Sequence, residues 1–228
     1  MSFLTKSETT GELEPISYAN SLRGEEVFLC GAGPSLKTTN CALIERSEKY
    51  IMGINNSFEY IHPDIWIGVD DSQAFDDKIW TLDCLKIYDY QKRDDVVKQK
   101  PIQDYNNIHF IYLVGNHKEE GQTKDYNFSG DFINFYFEGN TFTTALHILY
   151  WMGTKRVYLI GCDFGGESFL SKKSKGYNEK GQQKSFKNAI DFLKLSKMQS
   201  GVEYISCTPD SSINDFLEYK SVEEVLNG

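Results

Sequence analysis

Six short apolar runs mark the chain, and each stops in glycine, asparagine, aspartate or cysteine. They are VFLCGAG (27–33), YIMGINNS (50–57), IWIGVDDS (65–72), IHFIYLVGNH (108–117), RVYLIGCDFGG (156–166) and VEYISCTPDSS (202–212). Unbroken runs of apolar, β-branched or aromatic residues fit strands buried on both faces, as in a parallel sheet. CLKIYDY (84–90) and FINFYFEG (132–139) are further strand candidates. Helical segments lie between several runs. One covers 35–50. Another, 141–152, starts after Asn140, a good cap, and stops at Gly153. A third, 184–199, carries Phe186, Ile190 and Leu193 and stops near Gly201. Strands alternating with helices predict an α/β fold with one doubly wound, mostly parallel sheet. Residues 1–24 are polar and read as an extended or loosely docked lead-in. The domain proper is 25–228, with a flexible lid at 165–183, and 91–107 is charged and ambiguous.

The chain has 228 residues with 40% apolar content and 14% aromatic, which excludes global disorder. No apolar run approaches the ~20 residues of a membrane span, and the start has no basic-then-apolar signal layout. Five cysteines, an odd count without a CxxC pair, argue against a disulfide framework or zinc finger and for a reducing cytoplasm. The net charge of −9 opposes nucleic-acid binding by the surface as a whole. A local exception is 172–187, where six lysines, among them Lys172 and Lys173, face one glutamate, Glu179. Such a segment suits a closing lid that meets donor phosphates or a polyanionic acceptor such as nucleic acid; it also suits a solvated loop.

In open α/β sheets ligands bind outside the carboxyl ends of the strands, where the chain order switches. The small and polar endings of the runs converge on that edge and point to a nucleotide or similar polar ligand. In GAGPSLK, Gly31 and Gly33 permit close backbone approach, and Ser35 can cap the following helix, whose N-terminus attracts an anion. The segment also reads as a plain strand–helix turn. Asn55 and Asn56 can read a base or ribose, or simply turn the chain. Asp70 and Asp71 end another strand and suit a hard Mg²⁺ or Mn²⁺ ion beside phosphates, or a capped turn. Asp163 can bind ribose hydroxyls or orient a base. Of the four histidines only His117 falls where strand ends converge, which makes it the first candidate for general base. His147 sits mid-helix in an apolar segment. Cys162 is unsuited as a nucleophile because buried cysteines are inert.

The order GAGPSLK, INNSF, PDIWIGVDDS, NTFTTALHILYWMGTKRVYLIGCDFG and VEYISCTPDSS resembles one superfamily across about 26–216. It comprises the single-domain, Rossmann-like bacterial sialyltransferases and the related 6-hydroxymethylpterin diphosphokinase (MptE-like) family. The resemblance implies that Gly31, Ala32, Gly33, Pro34 and Ser35 line a donor pocket and that Asn55 contacts the nucleotide. It sets Asn140 and Thr141 at the helix start beside the donor, and matches Asp70 and Asp163 to site positions. Three departures stand out: the lid holds no histidine, Ala32 replaces an asparagine, and an arginine is replaced near Glu138. They imply a donor other than CMP-sialate. The expected function is transfer of a sugar from a nucleotide-sugar donor to a hydroxyl acceptor, with Asp71, Asp163 or His117 as catalytic groups. The alternatives are an ATP-dependent diphosphokinase and a nucleotide-binding module without turnover.

Overall fold

The apolar runs do become neighbouring strands. A computed structural model describes residues 3–115, 135–137, 139–164 and 179–228. Its ten-stranded sheet contains β1 (Phe3–Lys6), β2 (Leu13–Ile16), β3 (Glu26–Cys30), β4 (Tyr50–Ile54) and β5 (Ile65–Gly68). It also contains β6 (Leu85–Asp89), β9 (Ile108–Ile111), β12 (Arg156–Ile160), β13 (Glu203–Ser206) and β14 (Glu218–Tyr219). The spatial order is β14-β13-β12-β3-β4-β5-β6-β9-β1-β2. Every pair from β14 across to β9 is parallel, and β1 runs antiparallel to both of its neighbours, β9 and β2. From β3 the chain builds outward to β9, then returns to start again at β12. The switch point therefore lies between β3 and β12.

Alternate residues of each strand feed opposite faces, and both faces are covered. Val27, Leu29, Met52, Ile54, Ile65 and Ile67 pack against α2 (Thr141–Trp151) and α3 (Glu179–Gln199). On the other face Phe28, Cys30, Tyr158 and Ile205 meet Ile44 of α1 (Cys41–Glu45) and Val222 of α4 (Val222–Asn227). Trp66, Tyr88 and Phe110 pack there with Phe75 and Trp80, whose rings meet edge to face. Helix α2 is buried from Thr141 to Leu149, His147 included, and so passes through the molecule as a core element.

The structure corrects several local expectations. The lead-in is extended but far from loosely docked. Phe3 is fully buried between Tyr18 and Trp151, at ring separations of 5.3 and 5.2 Å, and β1 adds directly to β9. The helix expected over 35–50 is broken into a 3₁₀ turn, Pro34–Lys37, and the five-residue α1. The hydroxyls of Thr38 and Thr39 both donate to the Ser35 carbonyl at 3.0 Å, taking an acceptor that a continuing helix would use. The run 108–117 divides at Tyr112. Its second half gives β10 (Leu113–Gly115), which pairs with β11 (Phe135–Phe137) in a separate two-stranded sheet. The ambiguous 91–107 contains the small antiparallel pair β7 (Val96–Val97) and β8 (Lys100–Pro101). Helix α3 starts at Glu179, so the last residues of the expected lid are helical. The remainder of the lid, with Lys172 and Lys173, lies outside the described residues, as does His117. Among the described residues no helix is long and apolar enough to cross a membrane.

Candidate functional site

At the switch point the turn after β3 lies against the turn after β12. A Cβ on Gly31 would stand 2.4 Å from the Gly161 carbonyl oxygen. One on Gly33 would stand 2.5 Å from that oxygen and 1.9 Å from Asp163 Oδ2. Real side chains do not fit there, so glycine is required by backbone contact. Gly31 N–H donates to the Ile160 carbonyl at 2.7 Å and Gly33 N–H to that of Gly161 at 2.9 Å. Asp163 closes the arrangement: it accepts from Ser35 N–H at 3.2 Å and from Ser35 Oγ at 2.9 Å. Ser211 Oγ in turn donates to the Cys162 carbonyl at 2.7 Å. Burial raises the Asp163 pKa even though the Ser35 bonds oppose it.

These contacts redefine several expected roles. The amides of Gly31, Gly33 and Ser35 are hydrogen-bonded within the protein itself. The following helix is a four-residue 3₁₀ turn with no side-chain cap, so Ser35 does not cap it. Ala32 and Pro34 remain at the rim of the cleft, half-buried and exposed respectively. Asp163 fastens the two turns together through Ser35.

One strand over, Asn55 follows β4 in the left-handed region at φ 53°, with its carbonyl accepting from Trp66 Nε1 at 2.7 Å. Its Oδ1 accepts from Thr141 Oγ1 at 3.0 Å, which fixes the first turn of α2 over the end of β4. Asn140 is the cap of α2 as expected, accepting from Phe142 N–H at 2.8 Å. Its amide nitrogen donates to Ser185 Oγ of α3 at 3.0 Å. Asn56 is buried and donates to the Ala74 carbonyl at 3.3 Å, which ties the turn after β4 to the turn after β5.

Beyond β5, Asp70 and Asp71 are exposed. Tyr88 Oη donates to the Asp70 carbonyl at 2.7 Å. Lys92, from the 3₁₀ turn Tyr90–Lys92 after β6, donates to the Val69 carbonyl at 2.8 Å and pairs with Asp71 at 3.0 Å. The surrounding protein raises the Asp70 pKa by desolvation, against the opposing pull of Lys92. Among the described residues no three histidine, cysteine, aspartate or glutamate side chains are grouped to hold a metal ion. The Lys92 ammonium lies beside one oxygen of Asp71, so a Mg²⁺ or Mn²⁺ ion at Asp70 and Asp71 would have that cation as its neighbour.

The expectations for His147 and Cys162 fare differently, and His109 behaves as His147 does. Burial pushes His109 down to about 4 and His147 to about 3, so both are neutral structural groups. Cys162 is buried and its thiol pKa is raised, which keeps it unreactive. Sequence reasoning missed Lys92, Ser185 and Ser211. Each meets a partner at least 23 residues away, beyond whole elements of the fold, and no local spacing announces that.

Residues 3–168 match the family described as 6-hydroxymethylpterin diphosphokinase MptE-like. Among solved structures, the chain is similar to the sialyltransferase CstII from Campylobacter jejuni studied with cytidine-5'-monophosphate. Identity is 18% and the TM-score 0.52, over 86% of this chain and 85% of that one. It is also similar to CST-II in complex with a trisaccharide acceptor and CMP, at 16% identity and TM-score 0.51 over 86% of each chain. At these identities the likeness is one of fold. No curated protein matches the chain.

Proposed function

The chain belongs to the 6-hydroxymethylpterin diphosphokinase MptE-like family, and from that premise we propose that it is a nucleotide-dependent transferase, passing a glycosyl group from a nucleotide sugar to a hydroxyl acceptor. The observation that carries this reading is the N-terminus of α2, held over the end of β4 by the Asn55–Thr141 bond. An 11-residue buried helix brings partial positive charge to the cleft, where a departing nucleotide phosphate needs it. The structures of the same fold were studied with CMP and with an acceptor sugar, which agrees with this chemistry.

In the reaction the acceptor oxygen forms a bond to the anomeric carbon while the bond from that carbon to the donor phosphate breaks, its electron pair leaving with the nucleotide. The acceptor proton passes to a carboxylate. Asp70 suits that task, since it lies at the open strand edge and its raised pKa makes it a better proton acceptor than an ordinary aspartate. The test is product analysis with a panel of nucleotide sugars and with ATP. Release of UDP, GDP or CMP with sugar transfer supports glycosyl transfer. The family description favours a second reading, diphosphoryl transfer from ATP, whose signature is AMP. Binding with neither product would sink both readings and leave a binding module.

A further inference from the structure

Asp71 and Lys92 form a pair whose two members are held very differently. Lys92 is 23% exposed and Asp71 is 87% exposed. The lysine is anchored from below by the Val69 carbonyl, at the buried end of β5. Tyr88 fixes the adjoining Asp70 carbonyl from the same side. The aspartate's carboxylate, by contrast, hangs in water, with this one ion pair among the described residues. Exposed pairs of this kind contribute little to stability, so another anion can replace such a partner at little cost. The position is the carboxyl edge of the sheet, two strands from the switch-point turn, where ligands of this architecture bind.

The structure assigns Lys92 as the resident cation of the donor site: it meets a phosphate oxygen of the donor, and Asp71 is the placeholder that the phosphate displaces. The ligand class is a nucleotide di- or monophosphate group. This deepens the transferase reading and rests on it for the identity of the ligand. A tethered ammonium would supply positive charge at that position without a divalent ion. Val69 and Asp71 hold it in the meantime, so it stays beside the strand end without a ligand.

The test is calorimetric titration of the full chain with inorganic pyrophosphate, UDP, GDP, CDP and ADP, in EDTA and in Mg²⁺. At least one of these binds the unaltered protein, with an affinity that Mg²⁺ changes little. Lys92→Met weakens it by about tenfold, the scale of one lost charge-assisted contact. Asp71→Asn tightens it several-fold by removing the competing carboxylate, and both effects shrink as salt rises. Should Lys92→Met fail to fold, Asp71→Asn decides alone: equal or weaker binding overturns the proposal. So does unchanged affinity in a folded Lys92→Met, a strict requirement for Mg²⁺, or no binding by any of the five probes. Failure of the transferase reading is seen separately, as normal titrations without product release.

Discussion

Asp163, just past the end of β12, and Asp71, just past the end of β5, each lie against a donor from another segment, yet their settings differ. Asp163 is partly buried, takes two bonds from Ser35, and sits where glycines let two backbones touch. Asp71 has one ion pair among the described residues and its side chain is 87% exposed. The first arrangement is built from close-packed parts, so any change in it disturbs the fold. The second is a salt bridge at the rim, which a ligand can open. One edge of one sheet thus carries a region that shapes the cleft and a region that is free to bind in it, and residue type alone does not separate them.

The largest expected effect is on the packed side. Gly33→Ala would put a Cβ 2.5 Å from the Gly161 oxygen, which is backbone and cannot turn aside. Overpacking of this kind costs about 3 kcal/mol, read as a shift in the urea midpoint with an unchanged slope. A loss below ~1 kcal/mol would show that the switch-point turns relax easily, and the contrast with Asp71 would fail.

The strand ends were legible because parallel strands buried on both faces leave unbroken apolar runs, and small residues mark where those runs stop. Asn140 was legible too, since a cap is a local signal. The roles were less so. A glycine needed for contact between two backbones looks the same in sequence as one needed to approach a phosphate. Ser35 and Asp163 are 128 residues apart, and their bond appears only once β3 and β12 are neighbours. Lys92 was hidden because a long side chain reaches across one strand to the next. The buried lead-in was hidden because its strands are only four residues long and its buried apolar residues, Phe3 and Leu22, are isolated in sequence.

An intermediate effect is expected between the two regions, at Asn55. Asn55→Ala removes the bond to Thr141 and places alanine at φ 53°, a conformation asparagine tolerates better. Together these cost roughly 1–2 kcal/mol. Thr141→Val removes the same bond without backbone strain, so it should be the milder variant in the same denaturation assay. Equal losses would assign the whole effect to the hydrogen bond.

The pH dependence of stability sharpens the comparison further. Burial raises the Asp163 pKa, so the folded chain holds that proton to higher pH than the unfolded chain does. Its stabilising contribution is complete below the ordinary carboxylate value and declines as pH rises through the raised one. Asp163→Asn cannot titrate, so the unaltered protein should lose stability relative to this variant across that window. His109 and His147 act in the opposite sense. Held neutral with values near 4 and 3, they cost stability as pH falls below ~6.5. Both proteins share that background, so the difference between them isolates Asp163. No relative change with pH would mean that Asp163 is not held as the structure has it.

The smallest effect on the fold should come from Asp71→Asn. The side chain is 87% exposed and loses only a rim ion pair, while Lys92 keeps its bond to the Val69 carbonyl. Surface changes of this kind stay within about 0.5 kcal/mol. The denaturation midpoint should therefore match that of the unaltered protein, in low salt as in high, since screening has little left to remove. Asp163→Ala makes the matched comparison, because it leaves the Ser35 N–H and hydroxyl without their acceptor in a partly buried place, at a cost of about 1–3 kcal/mol. If the two variants were equally destabilised, Asp71 would be as much a part of the framework as Asp163. Lys92 would then be a structural cap on β5, with no exchangeable partner for a phosphate to displace.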